Sequence, residues 1–381
     1  VNTQETDVLV LGLGGMGSAA LYHLARAGVD AVGIEQFPVG HDRGSSHGHS
    51  RAFRTIYEDP VYTRLAEAAI PFWRELESDS GETLLFQKGM VTWANEGSPK
   101  LQERVAVMDD VGSPYELLTP SDVRSRFPAL RPPDGTVACF VPRSGFLDAG
   151  LCVRTHVAEA RKRGATLFDE TKVSGIDLDG DRPEVITPET RFRCDRLIVS
   201  AGPWAAHVLS DLNLPLRVTR QQKFYFRPGN SADFGPDRLP VYTDHETEFY
   251  GFPNYRGGIK VADDGLGGET TADTVDRTLD GTTRDRLRQW LDEIMPGNDA
   301  EFVSGTTCMY TMTPDRDFLI GPHPGNPNVL VAAGFSGHGF KFSTLVGKIL
   351  TDLATTGHTD YPIERFRVDR FETLSSEGTD P

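Results

Sequence analysis

Apolar residues fall into two periods along this chain. Residues 8–11 form a short unbroken apolar run, and 29–35 is a second, strand-like stretch that ends on Glu35. Runs of this length suit strands buried on both faces. Between them Ala20, Leu21, Leu24 and Ala25 recur at helical spacing and predict a helix over 18–27. The glycine-rich residues 12–17 join strand to helix, so the chain opens on one βαβ unit. Two later runs, 196–202 and 328–334, are β-rich and end on glycine, and the second leads into a helix-like stretch at 342–354. Both read as further central strands of the same parallel sheet. Residues 217–227 and 249–261 instead alternate apolar and polar between Pro/Gly turns, as antiparallel strands do, and 285–294 predicts a helix among them. The expected fold class is α/β (α+β). A discontinuous Rossmann-like domain with a central parallel sheet takes residues 1–80, 145–215 and 305–375. An antiparallel-sheet domain takes 81–144 and 216–304.

Composition narrows the function more than the fold. A chain of 381 residues suits two interleaved domains. No apolar run approaches the ~20 residues of a membrane span. The formal net charge of −16 argues against nucleic acid and anionic membrane surfaces as partners. Only eight residues are lysines, so each can be questioned separately. Cys139, Cys152, Cys194 and Cys308 are too widely spaced for a dense disulfide framework or a paired metal site, and reduced thiols are expected. The chain enters a strand almost at once, without a basic-then-apolar leader, which favours a cytoplasmic location. The polar residues 374–381 read as a frayed tail. We expect no metal, and a monomer or weak homo-oligomer.

The strongest local motif is Gly12-Leu-Gly14-Gly15-Met16-Gly17. It follows a strand and opens a helix. The first glycine permits the tight turn, the second lets backbone approach a pyrophosphate, and the third lets helix and strand pack closely. Glu35 ends the second strand about 20 residues on, where an acid binds a ribose hydroxyl. This predicts dinucleotide binding without distinguishing FAD from NAD.

Four further islands resemble a known family. They are Gly44-Ser45-Ser-His47-Gly-His-Ser-Arg51-Ala-Phe-Arg54, Val199-Ser-Ala201-Gly202-Pro-Trp204, Cys308-Met-Tyr310-Thr-Met-Thr-Pro-Asp315 with Asp317-Phe-Leu-Ile-Gly321, and Ala333-Gly-Phe-Ser-Gly337-His338-Gly339-Phe-Lys341-Phe342. In content and order they are similar to the monomeric sarcosine oxidase and N-methyltryptophan oxidase family, within the D-amino-acid-oxidase-like flavoproteins. The resemblance covers nearly the whole chain. It implies FAD as the cofactor, contacted by the 12–17 turn, by Glu35 and Gln36, and by Arg43, Ser45, His47 and Arg51. Val173, Ala201, Gly202 and Trp204 complete one side; Gly337, His338, Gly339 and Lys341 complete the other. Cys308 resembles the cysteine that holds FAD covalently.

The resemblance also assigns chemistry. Arg54 and Lys341 look like the pair that binds a substrate carboxylate, a task suited to a planar fork and a point charge. Tyr250 and Tyr310 look like aromatic walls of the substrate site, and His47 and Arg51 like residues on the flavin face. Lys260 resembles the lysine that activates oxygen, where a fixed cation lowers the barrier to forming negative charge. One position departs. The family carries a histidine four residues after that lysine; here Asp264 stands there, and the loop before Lys260 is one residue shorter than the family's. That puts sarcosine itself in doubt, while the reaction class stands. The implied activity is oxidation of the C–N bond of a secondary amino acid, N-methyl or cyclic, with oxygen reduced to hydrogen peroxide. The alternatives are a relative acting on pipecolate, proline or N-methyltryptophan, or a dehydrogenase that avoids oxygen. An NAD-dependent dehydrogenase would leave Cys308 without a role.

Overall fold

The computed structural model describes residues 2–265 and 267–375. Five parallel strands form the centre of an eight-stranded sheet: Asn326–Ala333, Thr190–Val199, Asn2–Leu11, Ala31–Ile34 and Thr166–Phe168. The apolar run at 8–11 is buried on both faces, Val8 and Val10 in a core shared with the long helices and Leu9 and Leu11 in a second core with Leu209 and Phe371. The helices Gly15–Arg26, Ala149–Lys162 and Ser343–Thr355 join the Pro60–Ser80 helix around one core, with Leu21, Trp73, Val153 and Leu350 all buried there. The parallel centre agrees with the sequence reading, with the first strand starting six residues earlier and the first helix three residues earlier than the apolar periods indicate.

A nine-stranded sheet forms the second layer. Its core strands Phe249–Phe252, Ile259–Asp263, Arg217–Arg227 and Glu301–Met312 pair antiparallel. One junction is parallel, where Val241–Asp244 runs beside Met90–Asn95. The alternating stretch read at 249–261 is two strands, since Asn254 to Gly258 form the turn between them. The helix read at 285–294 begins earlier, as Gly281–Ile294, because Asp280 caps it by accepting from Thr282 and Thr283 amides at 3.1 Å. Its Leu287, Trp290 and Leu291 seal the outer face of the sheet against Trp93 and Val261.

Sequence periodicity did not reveal the 21-residue Pro60–Ser80 helix, although Asp59 and Pro60 are a start signal in plain view. Asp59 accepts the Val61 amide at 2.9 Å. No described helix is long and apolar enough to cross a membrane. All four cysteines are buried free thiols. The tail read at 374–381 lies outside the described residues beyond Ser375.

Candidate active site

The cofactor-type motifs all follow carboxyl ends of parallel strands: Gly12 after Leu11, Glu35 after Ile34, Ser200 after Val199 and Gly334 after Ala333. Ligands of open α/β sheets bind at that edge. Gly12 sits at φ +88°, and a Cβ there would lie 2.7 Å from the Ser200 carbonyl oxygen. A Cβ on Gly17 would lie 1.8 Å from the Gly12 oxygen, so only glycine lets the helix pack this close to the strand. No side chain of its own caps the Gly15–Arg26 helix, although Ser46 Oγ reaches across to the Gly15 amide at 2.9 Å. Glu35 is buried beside this turn, accepting from the Leu13 amide at 2.8 Å and the Phe37 amide at 3.2 Å.

A cavity of about 250 Å³ runs along this edge. Gly12, Gly14, Gly15, Met16, Glu35 and Gln36 line one side of it. Ser45, Arg51, Val173, Ala201, Gly202, Trp204, Tyr310, Gly337 and Gly339 line the rest. The turn, the acid at the second strand end and a helix without a cap from its own N-cap residue fit a dinucleotide. The loop from Gly44 to Arg51 bridges to the other sheet, with Ser45 Oγ donating to the Met309 carbonyl at 2.6 Å. Arg51 braces the loop from within, donating to Ser45 O at 2.8 Å and His47 O at 3.3 Å.

A second cavity, of about 610 Å³, shares Arg51, Tyr310, Ser336, Gly337 and Phe340 with the first. Arg54, Tyr250, Lys260, Asp264, His338 and Lys341 all line it. The fold therefore gathers every residue assigned to substrate or oxygen around one space. Arg54 lies with its guanidinium carbon 4.4 Å from the Tyr57 ring centroid. Burial by itself would lower the Arg54 guanidinium, but Tyr57, Asp264 and Glu58 outweigh it and hold the group above its usual range. Lys341 is buried and donates to Tyr57 Oη at 2.7 Å and His338 O at 2.5 Å. Burial, reinforced by Arg54, pushes its ammonium well below the ordinary lysine range, and Asp264 only partly opposes this. Asp264 follows directly on the Ile259–Asp263 strand and opens to the cavity. Desolvation raises its carboxyl, against the pull of Arg54, Arg316 and Lys341.

Tyr250 and Tyr310 lie within electrostatic reach of each other, and desolvation raises both phenols. Lys260 is 2% exposed. Its Nζ donates to the Ser50 carbonyl and stands 3.6 Å from the Phe252 ring centroid. Burial, then Lys223 and Arg51, drives its ammonium well below the usual range.

Four assigned residues line neither cavity: Gly17, Arg43, His47 and Cys308. Gly17 does its work in the helix–strand contact. Arg43 is exposed and joins the loop through its backbone, donating to His41 Nδ1 at 3.0 Å. His47 is buried, and its Nε2 has no partner. Burial first, then Lys223 and Arg51, lowers its imidazole to about 2. Cys308 is buried within electrostatic reach of Lys223, Lys260, Tyr250 and Tyr310. Sequence reasoning passed over Tyr57, which bridges Arg54 and Lys341. Its only local signal was the three-residue spacing Arg51, Arg54, Tyr57.

Comparison with known proteins agrees with this geometry. Residues 7–353 match the FAD dependent oxidoreductase (DAO) family. The chain is 36% identical over 369 residues to a monomeric sarcosine oxidase of Streptomyces avermitilis, covering 94% of this chain and 96% of the relative. It is 28% identical to an N-methyl-L-tryptophan oxidase of Yersinia pestis, over 96% of this chain and the whole of that one. Among solved structures, an L-proline dehydrogenase from P. horikoshii shares the fold with a TM-score of 0.87 at 22% identity, covering 98% of this chain and 99% of that one.

Proposed function

The chain belongs to the FAD dependent oxidoreductase family, and on that premise we propose that it oxidises the C–N bond of a secondary amino acid, N-methyl or cyclic. The observation that carries this reading is the convergence of Arg54, Lys341 and Lys260 on one cavity beside the dinucleotide edge. The substrate carboxylate docks on Arg54 and Lys341, with Tyr57 holding the Lys341 ammonium in place. The substrate nitrogen must be neutral before it can lose hydride, and a carboxylate at Asp264 is placed to take the proton from its ammonium form. The aromatic walls Tyr250, Tyr310 and Phe252, the first and last edge-to-face, exclude water from the reacting carbon. FAD would be held by the 12–17 turn and Glu35 and would supply the two-electron acceptor, with oxygen, reduced to hydrogen peroxide, as the final acceptor. Lys260 stands as the fixed cation for the negative charge that forms on oxygen.

Residues 1–80, 145–215 and 305–375 serve as the FAD unit in this reading, and 81–144 with 216–304 as the substrate unit. The four free thiols support a reducing, cytoplasmic setting. An acid at Asp264, where the family pattern has histidine, argues against sarcosine itself as the substrate. A panel of N-methyl and cyclic amino acids, scored for flavin bleaching without oxygen and for peroxide when oxygen is readmitted, tests the reading. Bleaching by no secondary amino acid sinks it, and bleaching without peroxide makes the protein a dehydrogenase.

Covalent attachment of FAD through Cys308 is supported by the buried free thiol among Lys223, Lys260 and Tyr310. Acid precipitation of the yellow protein is expected to carry the colour into the pellet. Colour left wholly in the supernatant would mean that Cys308 is an ordinary core thiol.

A further inference from the structure

The reaction as derived uses Lys260 and leaves a second buried lysine without a task. Lys223 lies on the Arg217–Arg227 strand and is 5% exposed. Its register partner is Ala262, and Tyr225 two residues on pairs with Lys260. Partners across a ladder share a face, and so do residues two apart, so Lys223 and Lys260 project from the same side of the sheet. Both reach under the same loop. Lys223 Nζ donates to His47 O at 3.4 Å, and Lys260 Nζ donates to Ser50 O. His47 O also receives Arg51. A Cβ built on Gly48 would meet Lys223 Nζ at 3.2 Å and Tyr225 Oη at 3.5 Å, so those two groups lie side by side beneath the loop.

The charged side chains that face the two lysines from the loop are positive. Tyr225 faces Lys223 from its own strand, Lys260 from one neighbouring strand and Cys308 from the other. His47 and Arg51 face it from the loop, and Arg277 grips the loop's outer side through Asp42 O and Arg43 O. Among the described residues no carboxylate pairs with either ammonium. Asp148, the acid that acts on the neighbouring Tyr225, is engaged by Tyr255, Arg256 and the Leu151 amide. Packing alone gives no reason for an uncompensated buried cation, which is destabilising. An anionic charge forming in the cavity that Lys260 lines does give one.

We propose that Lys223 is a positioning residue for oxygen reduction, a second cation behind the 44–51 loop whose charge is coupled to that of Lys260 and sets the pH range over which Lys260 keeps its proton. This rests on the oxidase reading above. Lys223 lines neither cavity and acts through its neighbour. Two like charges this close titrate as a pair, each disfavouring the other's protonated form.

The FAD-loaded protein is tested in two ways. In stopped flow, the oxygen reaction of the reduced wild type falls along an alkaline limb as Lys260 loses its proton. In Lys223→Met that limb moves up by roughly one pH unit or more, while anaerobic reduction by substrate is unchanged. Lys223→Arg keeps the limb at the wild-type position. The second readout is urea unfolding, which is independent of turnover. Burial lowers Lys223 from 10.5 to about 8, so between those values the unfolded chain binds more protons and wild-type stability rises with pH. Lys223→Met therefore unfolds at higher urea than wild type at pH 7, and the gap narrows from pH 8 to 10.5. In a Lys260→Met background the pH 7 gap is smaller, because Lys223 has lost the charge that repelled it. An unmoved limb overturns the proposal, and so does a gap of equal size in both backgrounds. A Lys223→Gln variant matching wild type in both readouts overturns it too, since glutamine keeps the donor to His47 O without the charge. If the reduced wild type ignores oxygen altogether, the oxidase reading falls and the oxygen role of Lys223 with it. The urea comparison still reports on the pair in that case.

Discussion

Replacing Lys260 with methionine slows reoxidation of the reduced protein by about 10²–10³-fold, the usual worth of one preorganised charge, and leaves anaerobic reduction by substrate within a few-fold of wild type. The asymmetry follows from position. Lys260 is held by Ser50 O and the Phe252 ring, on the cavity wall apart from the Arg54–Tyr57–Lys341 group. Methionine matches the length of most of the stem and keeps the contact with Phe252, so packing changes little. Rapid mixing of substrate-reduced protein with oxygenated buffer measures the effect directly. Equal losses in both half-reactions would make Lys260 a structural or substrate-binding residue and remove the cation from the oxygen step.

Replacing Lys341 with methionine weakens binding of amino-acid substrate and of simple carboxylates such as acetate by about 10- to 150-fold. That range corresponds to the ~1.5–3 kcal/mol expected of a charge-assisted contact. Its pH dependence is a sharper signature than its size. Burial and Arg54 hold the free Lys341 ammonium well below the normal lysine range. A bound carboxylate favours the protonated form, so binding takes up a proton wherever free Lys341 is neutral. Affinity for acetate therefore falls as pH rises in the wild type, and the slope flattens in Lys341→Met, where Arg54 alone remains charged. An amine without a carboxylate is nearly indifferent to the substitution. Normal amino-acid binding by the variant, or equal turnover of decarboxylated amines, would remove the carboxylate clamp and with it the assignment of substrate class.

Much of the cofactor edge was legible because its signals are local. The 12–17 turn, Glu35, Ala201–Gly202 and the 333–339 loop each sit at the end of a short apolar run, and each run is a parallel strand. Strand ends of one sheet come together automatically, so finding the strands amounts to finding the site. The substrate side was legible only through family resemblance. Tyr57 and Phe252 read as ordinary aromatics, and the Pro60–Ser80 helix that buries Trp73 behind Lys341 was passed over despite its Asp-Pro start.

Local sequence was enough, then, for the βαβ opening, four of the five central parallel strands, the dinucleotide turn and the class of chemistry that the motifs imply. Those depend on periodicity and turn residues that act over a few positions. Only the tertiary structure decided which charges are buried and which of them meet. Tyr57 and Lys341 stand 284 positions apart and are joined by a hydrogen bond of 2.7 Å. Lys223 and Lys260 each occupy an alternating strand in which either face could have been the wet one. Antiparallel register turned both toward the same loop. A pKa depends on the dielectric and the charges within a few ångströms of a group, and those neighbours are chosen by the packing of two sheets rather than by adjacency along the chain.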